Sequence, residues 1–277
     1  MELNWFYCLI FGLVSGITEL LPVSAPAHEA LVNKFFGMAD SPLLRLVVHA
    51  AVWEALYLTL RVRVGQLLKE RRISRIPPRR RPRQPDPALV QELKLLRTAV
   101  ILIVLGAVAA YFLKDIRIDL SSIAVFLLIN GVILYIPGHI PNGNKDARSM
   151  SPLDGTILGI SAAVSMIPGI SRIGTVASTA IGRGADKEHA LRWAMLLDLA
   201  AMLIVIGFDA FALISGGLGT VSVGTMISCA LAGVAAFGGA MIGIRTMEFL
   251  AFRVGFSGFA YYSWGAALFT FLMYLTI

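Results

Sequence analysis

The sequence contains few charged residues for a chain of 277 residues. Asp, Glu, Lys and Arg make up 15% of it, whereas 57% is hydrophobic. Soluble domains usually contain about 45–50% apolar residues, so this balance excludes an ordinary soluble protein. With a mean hydropathy of +0.77, the composition predicts an all-α polytopic membrane protein, because helices satisfy their own backbone hydrogen bonds within the bilayer.

Cysteine is scarce, and the N-terminus lacks the features of a cleaved signal peptide. Cys8 and Cys229 lie in apolar segments without the spacing of metal ligands, so we expect neither a disulfide nor a thiolate metal site. No basic segment precedes a small-residue cleavage site, so we expect the first apolar segment to remain in the mature protein.

Positive charge is concentrated in one segment rather than spread along the chain. Residues 61–97 hold twelve of the 24 lysines and arginines and the prolines at 77, 78, 82, 85 and 87. Because the charge is local, we do not expect nucleic-acid binding. The pattern instead predicts an extended or disordered cytoplasmic loop at 61–94 that contacts anionic lipid headgroups.

A first apolar segment is interrupted by two prolines and carries three reactive side chains. Residues 16–28 read Gly-Ile-Thr-Glu-Leu-Leu-Pro-Val-Ser-Ala-Pro-Ala-His. Proline cannot continue a helix, so the helix should break there. Glu19, Ser24 and His28 place a carboxylate, a hydroxyl and an imidazole around the break.

A second apolar segment repeats this arrangement with a positive charge. Residues 165–175 read Ser-Met-Ile-Pro-Gly-Ile-Ser-Arg-Ile-Gly-Thr, so that Ser171 opens the helix after the break and Arg172 follows it. Broken helices at membrane depth are tolerated only inside protein or beside a water-filled cavity. Two breaks in one chain therefore predict a binding site.

Each break lies in a helical hairpin followed by three spans. The first half, 1–137, contains a re-entrant hairpin at 3–36 and spans at 43–60, 95–113 and 120–136. The second half, 138–277, contains a re-entrant hairpin at 153–181 and spans at 190–211, 221–244 and 256–277. Because three is an odd number, the halves should have opposite orientations, which predicts an inverted-topology repeat.

Charge alternation supports this layout. If the basic segment is cytoplasmic, the turn at 114–119 and the uncharged segment 213–220 lie outside, whereas the basic residues at 145–148 lie inside. The first hairpin then opens from the outer face and the second from the cytoplasm, so their tips should meet.

The tips suit phosphate chemistry. Helix N-termini bind phosphate, and a guanidinium such as that of Arg172 binds two phosphate oxygens. With Glu19, Ser24 and His28 nearby, the tips could transfer a phosphoryl group, and the sequence leaves open whether His28 or Ser24 is the nucleophile or the base. An alternative is that Ser24 and Ser171 only cap their helices.

These residues resemble the integral-membrane undecaprenyl pyrophosphate phosphatases of the bacitracin-resistance type. That family carries the motifs E-G-x-T-E-x-L-P-V-S-S-x-G-H and P-G-x-S-R-S-G-x-T, to which residues 15–28 and 168–175 are similar. Thr175 stands one position before the last threonine of the second motif. The resemblance implies hydrolysis of undecaprenyl pyrophosphate to the monophosphate in the bacterial inner membrane, for recycling of the cell-wall lipid carrier.

The resemblance also implies roles for single residues. Glu19, Ser24, His28 and Arg172 would be catalytic, and Gly169, Ser171, Arg172 and Thr175 would bind the substrate. Glu19 would help to hold Mg²⁺ or Ca²⁺. The sequence departs from the motifs at Ser15, where the family has the first glutamate, and at Ala25, Ala27 and Ile173; Pro26 precedes Ala27.

Another carboxylate could take the place of the missing glutamate. We expect Asp198 or Glu54, carboxylates within predicted spans, to approach the tips, and Glu29 is a third candidate.

Two other functions are compatible with the sequence. They are a polyprenyl-phosphate transporter or catalytically impaired relative, and an ion or small-anion channel. A homodimer is left open.

Overall fold

The structure, a computed structural model, describes residues 3–112, 118–141, 143–216, 221–253 and 255–276. These residues contain ten α-helices. They are α1 (Trp5–Glu19), α2 (Ala25–Phe36), α3 (Pro42–Arg75), α4 (Pro87–Phe112), α5 (Leu120–Tyr135), α6 (Pro152–Val164), α7 (Arg172–Gly182), α8 (Lys187–Ser215), α9 (Val223–Arg253) and α10 (Phe256–Thr276).

Long apolar helices identify an integral membrane protein. Within the described residues, α3, α4, α5, α8 and α9 are long and apolar enough to cross a bilayer. The sixth span expected at 256–277 is the 21-residue helix α10, which packs on α5. The surface of α10 carries two exposed tyrosines, Tyr261 and Tyr262.

Both expected breaks are present. Helix α1 ends at Glu19 and α2 begins at Ala25, while α6 ends at Val164 and α7 begins at Arg172. The four short helices have 11 to 15 residues. At 1.5 Å per residue none is longer than about 23 Å, which is less than the hydrocarbon thickness of about 30 Å.

The prediction of an extended or disordered loop at 61–94 was wrong. Helix α3 continues to Arg75 and α4 begins at Pro87, so only residues 76–86 lie outside α-helix. Lysine and arginine are good helix formers, and the prolines begin only at residue 77. Buried carboxylates also hold the segment, since Arg83 binds Glu70 and a second arginine–glutamate pair joins α3 to α4.

Parts of the expected connections fall outside the described residues. These are residues 114–117 of the polar turn at 114–119, residues 217–220 of the segment 213–220, and the terminal residues 113 and 277 of two predicted spans.

Glycines allow α1 to pack closely on α9. A Cβ atom at Gly12 would lie 2.2 Å from the carbonyl oxygen of Ala232, and one at Gly16 would lie equally close to that of Ala236. Small residues spaced by four allow helix backbones to approach in membranes. This contact places the C-terminal end of α1, with Glu19, beside the interior of the protein.

Helix α6 packs on α4 in a similar way. Gly155 and Gly159 are again four residues apart, and a Cβ atom at Gly159 would lie 2.7 Å from the Cα atom of Ala99. Helix α6 therefore brings the second break into the interior, as α1 does for the first.

Candidate active site at the junction of two broken helices

The two helix breaks are in direct contact. The hydroxyl of Ser24 accepts a hydrogen bond from the backbone N–H of Gly169 at 3.0 Å, and the hydroxyl of Ser171 donates to the carbonyl oxygen of Leu21 at 3.3 Å. The expectation that the two breaks meet is therefore confirmed for the described residues.

The two serines differ in their capping roles. Ser171 caps α7, since its hydroxyl also accepts from the N–H of Gly174 at 3.1 Å. Ser24 precedes α2 but makes no side-chain cap, and it is the only described non-glycine residue with positive φ, at 65°. That unfavourable conformation turns its hydroxyl away from α2 and toward Gly169.

Asn130 on α5 holds both breaks, and the sequence reasoning did not identify it. Its amide donates to the carbonyl oxygen of Pro22 at 3.3 Å and to the hydroxyl of Ser263 at 3.1 Å. Its amide oxygen accepts from the N–H of Ser171 at 2.9 Å. A buried asparagine within an apolar span was the available signal, because such polar groups must be satisfied inside the bilayer.

Arg172 lies between two carboxylates. Its guanidinium contacts Glu19, and its Nε lies 2.7 Å from Oδ1 of Asp198 on α8. The side chains of Arg172, Glu19 and Asp198 are 9%, 3% and 1% exposed. The expectation that Asp198 or Glu54 approaches the tips is thus confirmed for Asp198, whereas Glu54 lines a surface groove between α3 and α9.

Several polar atoms near Arg172 have no partner. Within the part of the chain that the structure describes, Oε2 of Glu19, Oδ2 of Asp198 and the hydroxyl of Thr175 are buried without a hydrogen bond. Thr175 lies three residues after Arg172 and so shares its face of α7. Buried polar groups are normally satisfied, so these atoms indicate a place where a ligand would be bound.

His28 is oriented by two hydrogen bonds. Its Nδ1 lies 2.8 Å from the carbonyl oxygen of Ser24, and because a carbonyl can only accept, Nδ1 carries the hydrogen. Its Nε2 lies 2.8 Å from the hydroxyl of Tyr262 on α10, whose ring stacks on the imidazole at a centroid distance of 5.8 Å. Nε2 of the neutral ring therefore presents its lone pair toward Tyr262.

Tyr262 also lines an apolar cavity of about 360 Å³ between the first break, α9 and α10. The cavity is lined by Ile17, Thr18, Leu21, Val23, Leu250, Gly258, Phe259 and Tyr262. The site thus combines a polar junction with an adjoining apolar space.

A second buried cluster lies beside the first break. Ser15 donates a hydrogen bond to Glu29, which lies 3.4 Å from Nε2 of His49. Nδ1 of His49 lies 2.6 Å from Asp209, which also binds Arg45 at 3.1 Å. Arg45 also pairs with the exposed carboxylate of Asp40 at 2.6 Å. When His49 is protonated, the two buried carboxylates, Glu29 and Asp209, are matched by two cations.

The donor set partly fits the divalent cation that the resemblance implies. Glu19 and Asp198 offer unpartnered carboxylate oxygens, the ligand type that Mg²⁺ and Ca²⁺ prefer. Among the described residues, no group of three or more His, Cys, Asp or Glu side chains could hold a metal ion. Mg²⁺ is commonly held by one or two carboxylates together with substrate phosphates, and two carboxylates are what this site supplies.

The sequence also matches a family of known proteins. The sequence matches the family described as "Bacitracin resistance protein BacA" over residues 8–269, which includes both breaks and all five long apolar helices. The chain belongs to the BacA family.

Three curated relatives of this BacA-family protein are undecaprenyl-diphosphatases. An undecaprenyl-diphosphatase of Treponema denticola is 29% identical over 79% of this chain and 84% of its own length. An undecaprenyl-diphosphatase of Carboxydothermus hydrogenoformans is 28% identical over 73% of this chain and 71% of its own length. Undecaprenyl-diphosphatase 3 of Bacillus cereus is 26% identical over 99% of each chain.

Proposed function

We propose that this BacA-family protein is a membrane hydrolase that converts undecaprenyl diphosphate to undecaprenyl phosphate. Water supplies oxygen to the terminal phosphorus, the bond to the bridging oxygen breaks, and inorganic phosphate and a proton are released. The observation that carries the proposal is the contact of two broken helices, which brings Arg172 and Glu19 to the same junction as Ser24 and His28.

Helix polarity supports binding of the diphosphate at this junction. Helices α2 and α7 both begin there, and the first N–H groups of a helix have no intrahelical partner. Phosphate binds at such N-termini. Gly169 has φ of 102° and is closely surrounded, which suits the tight turn before Ser171. Arg172 and Thr175 then face the terminal phosphate.

His28 is the best-placed reactive group. Its Nδ1 hydrogen is held by the carbonyl of Ser24, so the lone pair that would attack phosphorus or activate water lies on Nε2, which the hydroxyl of Tyr262 holds in place. Both reactions use this same atom. The hydroxyl of Ser24 accepts the N–H of Gly169, which assigns it to joining the two breaks.

A divalent cation, Mg²⁺ or Ca²⁺, would be held at Glu19 and would neutralise charge on the diphosphate. The apolar cavity beside Tyr262 would receive the first isoprene units, since its other lining residues are mostly apolar. The polar junction would thus bind the headgroup while the hydrocarbon chain remains in an apolar environment.

The helix contacts support an inverted-topology repeat with halves 1–137 and 138–277. If each helix is replaced by its counterpart in the other half, α1 becomes α6 and α9 becomes α4. The contact between α1 and α9 then becomes the contact between α6 and α4, and both contacts occur. The same exchange maps the α3–α8 and α5–α10 contacts onto themselves, and these contacts occur too. The short pairs α1–α2 and α6–α7 would then be re-entrant hairpins that enter from opposite faces.

The membrane would be the bacterial inner membrane, with the basic segment in the cytoplasm. Arg79 and Arg80 lie in an exposed 3₁₀ turn between α3 and α4, where they would contact anionic lipid headgroups. A homodimer is compatible with this arrangement, because each chain carries a complete junction.

Transport of a polyprenyl phosphate is the second candidate function. The specific observation that favours it is the exchange symmetry of the helix contacts, since inverted repeats are common in transporters. The tight orientation of His28 by Ser24 and Tyr262 favours hydrolysis, because moving a lipid does not require a fixed imidazole tautomer.

Phosphate release separates these functions. Purified protein in detergent is given undecaprenyl diphosphate with Mg²⁺ or Ca²⁺, and inorganic phosphate is measured over time. We expect release by the wild type and a loss of at least about 100-fold in His28→Ala. Equal release by wild type and His28→Ala would contradict the proposal, and lipid movement in proteoliposomes without release would favour transport.

A further inference from the structure

The cluster around Arg172 carries unbalanced negative charge. Glu19 and Asp198 each pair with Arg172, so two carboxylates share one guanidinium, and among the described residues neither pairs with another cation. One oxygen of each carboxylate has no partner. Buried charge in a low-dielectric environment is costly unless it is compensated.

The buried carboxylates of the neighbouring cluster do not have this excess. Glu29 and Asp209 are matched by His49 and Arg45, and the third carboxylate there, Asp40, is exposed. Ser15, which stands where the family has its first glutamate, binds Glu29. Glu29 is therefore engaged by Ser15 and His49. It is not the carboxylate that takes the place of the missing glutamate.

We propose that Asp198 supplies the second carboxylate of a divalent-cation site with Glu19. The inference rests on the proposed function, because the diphosphate is the ligand that would complete the coordination of the cation. Both carboxylates contact the same guanidinium, Glu19 of α1 at Nη2 and Asp198 of α8 at Nε, so the two carboxylates lie close to each other. A divalent cation there would turn the single excess negative charge into a single positive charge, which the bound diphosphate would offset.

In the family motif the two glutamates are four residues apart on one helix, at the positions of Ser15 and Glu19 in this sequence. Here one ligand comes from α1 and the other from α8, which packs on α7. A hard cation held by two carboxylates completes its coordination with phosphate oxygens and water. Cation affinity should therefore rise when a diphosphate is bound.

Binding of Mn²⁺, an oxygen-seeking and paramagnetic substitute for Mg²⁺, tests the proposal without turnover. Detergent-purified protein is titrated with Mn²⁺ in the presence of methylene diphosphonate, and free Mn²⁺ is followed by electron paramagnetic resonance. We expect one bound Mn²⁺ per wild-type chain and an affinity at least about tenfold lower in Asp198→Asn. Glu29→Gln is the matched control and should leave the affinity close to that of the wild type, because Glu29 is not a ligand in this assignment.

Asp198→Asn should fold, because it leaves Glu19 and Arg172 as a balanced pair. Asp198→Glu provides a second variant, which should retain Mn²⁺ within a few-fold. The triple variant Ser15→Glu, Glu29→Gln, Asp198→Asn returns two glutamates to one face of α1 and should regain affinity.

Wild-type Mn²⁺ affinity in Asp198→Asn would overturn the assignment, as would a loss of affinity in Glu29→Gln as large as that in Asp198→Asn. If Mn²⁺ binds as expected but no phosphate is released from undecaprenyl diphosphate, the proposed function fails and the cation site stands. If phosphate is released and Asp198→Asn binds Mn²⁺ normally, only the cation assignment fails.

Discussion

The hydroxyl of Ser24 accepts a hydrogen bond from the N–H of Gly169 across 145 residues of sequence. This bond joins the break between α1 and α2 to the break between α6 and α7. It requires Ser24 to adopt positive φ, a conformation that costs an L-residue about 1–2 kcal/mol. The strain therefore coincides with the contact on which the site depends.

Ser24→Ala and Ser24→Gly should separate the bond from the strain. Both variants leave the buried N–H of Gly169 unpartnered, at a cost of about 1–3 kcal/mol. Only glycine relieves the positive φ. In thermal unfolding in detergent, both the wild type and Ser24→Gly should therefore have a higher unfolding temperature than Ser24→Ala. An alanine variant that is at least as stable as the glycine variant would contradict the assignment of strain to Ser24.

Tyr262→Phe should slow turnover while leaving the protein folded. The variant keeps the stacked ring beside His28 but loses the hydroxyl that meets Nε2. Loss of one such bond is worth about 0.5–1.5 kcal/mol, so kcat should fall about two- to tenfold. Tyr261→Phe, at the exposed neighbouring position, is the control, and equal effects of the two variants would argue against a role for the Tyr262 hydroxyl.

His49→Leu should destabilise the protein because it leaves Glu29 without its cation. Removing one partner of a buried pair costs about 3–5 kcal/mol. The second change Glu29→Gln removes the unpaired charge, so the double variant should unfold at a higher temperature than His49→Leu alone. No recovery in the double variant would show that His49 acts by packing rather than by charge.

The N-terminus of α5, the helix that carries Asn130, should weaken in acid. The carboxylate of Asp119 accepts the N–H of Ser122 at 2.9 Å and two serine hydroxyls, and these bonds, led by that N–H, lower its pKa. A pKa below the unfolded value gives stabilisation that is present above about pH 3.9 and is lost as the pH falls through the folded value.

Asp119→Ala should accordingly lower the unfolding temperature at pH 7 by more than it does near pH 3. Melting curves of wild type and variant at both pH values provide the measurement. A difference that stays constant with pH would mean that the charge of Asp119 contributes nothing to the cap.

Local sequence features predicted the two breaks because proline acts on its own helix. Pro22 and Pro168 interrupt helices wherever the helices pack. The meeting of the breaks was predicted as well, from the alternation of charge along the chain. The breaks could be predicted because a proline interrupts its own helix. Their meeting could be predicted because the charges of the connections indicate on which side of the membrane each connection lies.

The partners of the site residues were less accessible. The sequence left Asp198 and Glu54 as equal candidates, because the rotation of α3 and α8 about their axes depends on packing with other helices. Asn130 and Tyr262 lie in helices far along the chain from their partners, so no local pattern connects them. The segment 61–94 was misread because its charge and prolines outweighed the helix propensity of residues 61–75.

The most direct test of a single shared site is protection of His28 by a ligand that Arg172 binds. Diethylpyrocarbonate modification of His28 is followed by mass spectrometry with increasing methylene diphosphonate, using His139 and His189 as internal references. The account predicts protection of His28 in the wild type and little or none in Arg172→Ala at the same concentration. Equal protection in both proteins would contradict it, because the phosphate would then bind without the second break.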